Sequence, residues 1–168
     1  MTPLPPPLGR GELVFWRLDQ TRHAGAWESG EGSYRVGGRW SPRGIRAVYA
    51  SLDPATAILE VAVHETFRAL DTVPHVLTSA RIVEPSHVHV VRIEDIPDPH
   101  WLRPGTPGAG QRVFGAALLE AHAFVLLPSV VSTHSWNVIF DPGRAAGLYD
   151  RVTQEDFVLD TRLHPATG

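Results

Sequence analysis

Glycine and proline, 15 of each in 168 residues, constrain this chain more than any other feature. Proline cannot donate a hydrogen bond inside a helix or a central strand, and glycine weakens both, so the chain is cut into short elements joined by many turns. Against that punctuation, 43% of the residues are hydrophobic and 20% charged, enough for one packed core in a length too small for two ordinary domains. The expectation is a compact single α+β domain in which a mainly antiparallel, twisted sheet carries a few helices. Residues 1–11 are proline-rich and end in Gly9-Arg10-Gly11, which reads as a flexible arm before a domain over 12–168.

The residues that are missing exclude whole classes of chemistry. Without cysteine there is no disulfide scaffold, no thiolate metal site and no thiol nucleophile. All 15 basic residues are arginine, so Schiff-base chemistry through lysine and a P-loop lysine are also excluded. Apolar runs such as 123–127 fall far short of the roughly 20 residues of a membrane span. The N-terminal residues have no basic region and their prolines break any apolar helix, so no secretory signal is expected and the cytoplasm is the expected compartment. A net charge of −3 and a pI near 6.3 argue against general nucleic-acid binding.

Local patterns predict the elements. Residues 13–18 read as a buried first strand, and 47–51 as a second. Asp53-Pro54 predicts a helix start, with apolar spacing carrying the helix over 54–70. Residues 76–83 and 87–93, divided by Glu84-Pro85-Ser86, suggest a hairpin. The irregular stretch 97–112, with Trp101, reads as a lid or interaction loop. A helix over 111–124 is expected to pack through Val113, Ala117, Ala121 and Phe124. Strands are expected at 125–131 and 136–140, with an edge strand at 157–159. Between Glu28 and Arg46, five glycines alternate with Arg35, Arg39, Arg43 and Arg46, and together with Pro42 they predict a basic loop or hairpin rather than a helix.

Several site types lack their motifs. There is no Gly-x-Ser-x-Gly elbow, and His64-Glu65 is not followed by the histidine a zincin needs. His87 and His89 alternate as two imidazoles on one strand face would, but no metal is expected there. The run Gly37-Gly38-Arg39-Trp40-Ser41-Pro42-Arg43-Gly44, followed by Tyr49 and then Glu60, is more informative. Glycines let backbone amides approach phosphate oxygens, and an arginine fork grips a diphosphate in a two-pronged way. An aromatic ring offers a stacking face, and a carboxylate stabilises an oxocarbenium-like centre. The set suits cleavage of a sugar bond in a phosphorylated ligand, while Tyr49 as a core residue and Glu60 as a surface carboxylate remain the plainer alternatives.

The blocks Arg17, Gly38-Arg39-Trp40-Ser41-Pro42, Val48-Tyr49-Ala50-Ser51, Ala57-Ile58-Leu59-Glu60-Val61, Pro128-Ser129-Val130, Trp136-Asn137 and Asp141-Pro142 together resemble the RES-domain family over about residues 13–163. The resemblance implies an ADP-ribosyltransferase-like fold and a bacterial toxin–antitoxin toxin that consumes NAD as substrate, with no separate cofactor. The expected partner is an Xre-type antitoxin, with a homo-oligomer or a hetero-oligomer with that antitoxin as the expected assembly. It implies Arg39, Tyr49 and Glu60 as catalytic residues, and Ser129, Arg17, Asn137 and Trp40 as NAD contacts beside Arg39 and Tyr49. The implied reaction is cleavage of the nicotinamide–ribose bond by a glycohydrolase or phosphorylase. A protein-modifying ADP-ribosyltransferase and an RNA-directed toxin, using Trp40 and Tyr49 as stacking platforms, are the alternatives. Ser41 and Asp141 depart from the family pattern, where asparagine is frequent at both positions.

Overall fold

A computed structural model of the chain describes residues 11–105, 107–160 and 162. The expected arm at 1–11 lies outside them except for Gly11. A seven-stranded sheet in the order β4-β5-β6-β2-β1-β3-β7 organises the domain. Its strands are β1 (Leu13–Gln20), β2 (Val48–Ser51), β3 (His75–Ile82), β4 (Val88–Val90), β5 (Phe124–Pro128), β6 (Trp136–Phe140) and β7 (Tyr149–Phe157). Every neighbouring pair is antiparallel except β4 with β5. The helices are α1 (Glu31–Val36), α2 (Pro54–Glu65), α3 (Phe67–Thr72), α4 (Ala109–Ala121) and α5 (Pro142–Ala145). Among the described residues, no helix is long and apolar enough to cross a membrane.

The alternation of the central strands divides the core between the two sheet faces. Phe124 and Leu126 of β5 and Val138 and Phe140 of β6 join Phe15 and Trp27 in one cluster. Val125, Leu127 and Ile139 turn the other way and meet Trp40, Trp101 and Leu119. Tyr49 pairs with Ile139, and Ser51 with Asn137. Those four residues therefore share the second face, where polar side chains interrupt the apolar wall.

The structure corrects several sequence expectations. The helix expected over 54–70 breaks at Thr66, whose φ of 74° and ψ of 152° end α2 and begin α3. The segment 31–36 does form a helix, because Gly30 and Gly37, both at positive φ, flank it rather than interrupt it, and Glu31 pairs with Arg35 one turn on. The suggested hairpin does not exist: β3 lies between β1 and β7, while β4 crosses to the far edge and runs parallel to β5. Helix α4 packs through Gln111, Gly115 and Leu119, leaving the expected face with Val113 exposed. The last strand ends at Phe157, so Val158 and Leu159 fall beyond it.

Candidate active site

Glu60 sits in the second half of α2, a helix opened by the Asp53 carboxylate accepting from Thr56 N at 2.8 Å and from Thr56 Oγ1 at 2.7 Å. This cap and Pro54 in the first turn fix where the helix starts, and so which face Glu60 presents to the strand ends. Ser129 Oγ donates to Glu60 Oε1 at 2.9 Å, and Asn137 Nδ2 donates to the same oxygen at 2.5 Å. Ser51 Oγ in turn donates to Asn137 Oδ1 at 2.8 Å, which orients the amide so that its NH2 faces the carboxylate. Ser129, fully buried just past β5, is itself held, its Oγ accepting from Ser132 N at 3.0 Å. Two donors thus converge on Oε1, whereas Oε2 has no hydrogen-bond partner among the described residues.

The glycine-rich loop is braced by Tyr49. Its hydroxyl accepts from Trp40 N at 3.1 Å and shares a 2.8 Å hydrogen bond with Ser41 Oγ. A Cβ at Gly38 would lie 2.4 Å from that hydroxyl, so only glycine allows the loop to close over the phenol. Burial pushes the Tyr49 phenol above its ordinary value, with the Ser41 and Trp40 hydrogen bonds and the charges of Arg112 and Arg39 opposing, so the hydroxyl stays protonated at neutral pH. Ser41, one of the two departures from the family pattern, is the side chain that completes this brace. Asp141, the other, caps α5 by accepting from Gly143 N at 2.7 Å and Arg144 N at 3.1 Å.

Arg39 leaves this loop toward the segment before α4, donating to the carbonyls of Trp101 at 3.3 Å and Gly105 at 3.5 Å. Both contacts are long, so they hold the guanidinium weakly. Trp40, expected as a ligand contact and a stacking platform, is 2% exposed and packs against Trp101 and Phe114. It is a core residue, and its burial withdraws the base-stacking role on which the RNA reading relied.

Other residues singled out in the sequence have defined partners. Arg17 grips Asp19 through two nitrogens at 2.9 and 2.7 Å and donates to the Tyr49 carbonyl at 2.7 Å, with no hydrogen bond to Arg39, Glu60, Ser129 or Asn137. Arg35 and Arg46 of the basic segment both pair with Glu31, at 2.8 and 2.5 Å. His87 lies in a 3-10 turn, and His89 stacks on His122 with ring centroids 4.1 Å apart. Among the described residues, no group of three or more metal-ligating side chains comes together.

Sequence reasoning missed Ser51 and Gln111. Ser51 carried a signal, since strand alternation puts it on the face of Tyr49. Gln111 did not, because its place depends on how α4 docks: its Nε2 reaches the Arg39 carbonyl at 3.5 Å.

Comparison with known proteins gives this arrangement its context. A Toxin Res from Pseudomonas putida is 31% identical over 155 residues, covering 90% of this chain and 99% of that protein. A Toxin Res from Photorhabdus laumondii is 30% identical, covering 90% of this chain and 97% of its own. A protein from a Sphingobium species described as a Prs ADP-ribosylating toxin is 28% identical, covering 89% and 95% respectively. In fold, the chain is similar to a chain of the M. tuberculosis MbcT-MbcA toxin–antitoxin complex, with a TM-score of 0.64 and 16% identity over 88% of this chain and 85% of that one. The RES domain model matches residues 14–160, nearly the whole of the sheet and the Glu60 cluster with it, and the chain belongs to the RES domain family.

Proposed function

We propose that this protein is the toxin of a toxin–antitoxin pair and acts by cleaving the nicotinamide–ribose bond of NAD. The observation that carries the reading is the Glu60 carboxylate, with Oε1 held by Ser129 and Asn137 and Oε2 left for a ligand. Two fixed donors keep the charge in place before any ligand arrives, and such preorganisation is what makes an anion effective against developing positive charge. As the bond to nicotinamide breaks, its electron pair leaves with the ring, which departs neutral, and the anomeric carbon becomes cationic beside Glu60. Water then adds its oxygen to that carbon and gives up a proton, yielding ADP-ribose. Arg39 would hold the diphosphate, releasing the Trp101 and Gly105 carbonyls in exchange for a charged acceptor. The Tyr49 hydroxyl fixes the loop that presents Arg39.

Two relatives described as Toxin Res favour the toxin reading, and an Xre-type antitoxin is the partner we expect. Similarity to an ADP-ribosylating toxin favours a second acceptor, a protein side chain in place of water. The test is to incubate the purified protein with NAD, with and without inorganic phosphate, and to resolve the products by mass spectrometry beside a lysate probed for labelled protein. ADP-ribose or ADP-ribose-1″-phosphate with nicotinamide supports cleavage to a small product. Label on one protein band with little free product would replace it with transfer.

A further inference from the structure

The first turn of α4 carries a guanidinium that the reading above leaves unused. Arg112 Nε is buried and has no hydrogen-bond partner, and the Arg112 side chain makes no ion pair among the described residues. Native proteins rarely withdraw an N–H from water without giving it an acceptor, and the exceptions ask for an explanation. The setting is closely defined. Gln111 reaches the Arg39 carbonyl, and a Cβ at Gly115 would lie 1.9 Å from the Trp40 carbonyl oxygen, so α4 rests directly on the backbone of Arg39 and Trp40. The charges of Arg39 and Arg112 both bear on the buried Tyr49 phenol, against the effect of its burial. Neither has a carboxylate partner among the described residues; Arg39 makes do with two long contacts to carbonyls. Two cations without carboxylate partners on a loop and the helix packed against it are suited to an anionic ligand.

We propose that Arg112 is a second oxyanion-binding residue, which with Arg39 receives the phosphate oxygens of the ligand. A dianionic group has acceptors for both guanidiniums, and a guanidinium offers phosphate oxygens a planar fork that an ammonium cannot reproduce. The proposal rests on the NAD reading in so far as the diphosphate of the dinucleotide is the phosphate-bearing group there. Free inorganic phosphate shares the chemistry and is the other source.

The experiment titrates inorganic pyrophosphate, and separately inorganic phosphate, into the full chain and into Arg112→Met, Arg112→Lys and the exposed neighbour control Val113→Ala, with thermal denaturation of each free protein. Loss of charge-assisted hydrogen bonds predicts about ten-fold or greater weakening of pyrophosphate binding in Arg112→Met. Arg112→Lys is expected to recover only part of it, and Val113→Ala to bind as the parent does. The free Arg112→Met protein should melt at the same or a higher temperature, because an unsatisfied donor has been removed. A merely structural arginine would instead lower the melting temperature and leave binding unchanged, which would overturn the proposal, as would a parent protein that binds neither anion. Tighter binding of pyrophosphate assigns the site to the diphosphate, and tighter binding of phosphate to a free phosphate ion. Nicotinamide release from NAD, followed in parallel, separates the two ideas. A parent protein that releases none fails the NAD reading while the titration still judges Arg112, and turnover with unchanged pyrophosphate binding in Arg112→Met fails Arg112 alone.

Discussion

Gly38→Ala puts one methyl group where the structure has no room for it. The new Cβ would lie 2.4 Å from the Tyr49 hydroxyl oxygen, 2.6 Å from Cζ and 2.8 Å from Cε2. Ordinary carbon–carbon contacts start near 3.5 Å, so loop and ring must separate by about 1 Å. The ring cannot swing away, because its hydroxyl is tied to Trp40 N and Ser41 Oγ at 3.1 and 2.8 Å. Overpacking costs about 1–3 kcal/mol, and losing one of the two hydrogen bonds about 1 kcal/mol more, so a loss of about 3 kcal/mol is expected. In a chain of this length that lowers the melting temperature by roughly 6–12 °C. Circular dichroism melts of Gly38→Ala, Tyr49→Phe and the double variant test this, with NAD turnover measured below all three transitions. Because both substitutions act on the same hydroxyl, the double variant should lose less than the sum of the singles. A melting temperature within 2 °C of the parent's, with normal turnover, would refute the claim that the loop is built around this phenol.

Thr66 occupies a conformation that favours glycine, at φ 74° and ψ 152°, and its cap to Ala69 N is long at 3.4 Å. Thr66→Gly should therefore stabilise by about 1 kcal/mol, read as a raised melting temperature. Arg39→Lys should weaken NAD binding nearly as much as Arg39→Ala, because an ammonium cannot reproduce a planar fork, and calorimetric titration of both variants checks it. Burial first, and then the stacked His122, holds His89 below its ordinary value of 6.5, with Asp95 opposing. The unfolded chain accepts the proton more readily than the fold does, so stability is full above pH 6.5, declines below it, and levels beneath the folded value. Urea midpoints at pH 7.5 and 5.5 should show a shallower decline in His122→Ala, and an equal decline would contradict the coupling.

Strands β1, β2 and β6 were legible because their apolar runs are short, uninterrupted and flanked by turn residues. The start of α2 was legible for the same local reason, Asp53 followed by proline. Its end was not, since Thr66 adopts a backbone conformation that no composition rule assigns to a β-branched residue. The face of α4 was misread because its packing stripe is Gln111, Gly115 and Leu119, in which the closest contact is made by the residue with no side chain at all. Proximity in sequence does not make β3 and β4 a hairpin, because β4 finds its partner in β5. In the site, the resemblance brought Glu60, Ser129 and Asn137 into one account, and the structure places them within hydrogen-bonding distance. Trp40 and the pairing of Arg35 and Arg46 with Glu31 are decided by burial and long-range contact, to which residue spacing is blind.

The central claim is that Glu60 stabilises charge during cleavage of NAD, and nicotinamide release by the parent and by Glu60→Gln tests it most directly. Glutamine keeps the size of the side chain and removes the charge that would face the anomeric carbon. Removing one preorganised electrostatic group of this kind lowers rates by about 10²–10³. Steady nicotinamide release is expected from the parent and a loss of that order in Glu60→Gln, with the melting temperature of the variant close to the parent's. Turnover by Glu60→Gln near the parent's rate would contradict it.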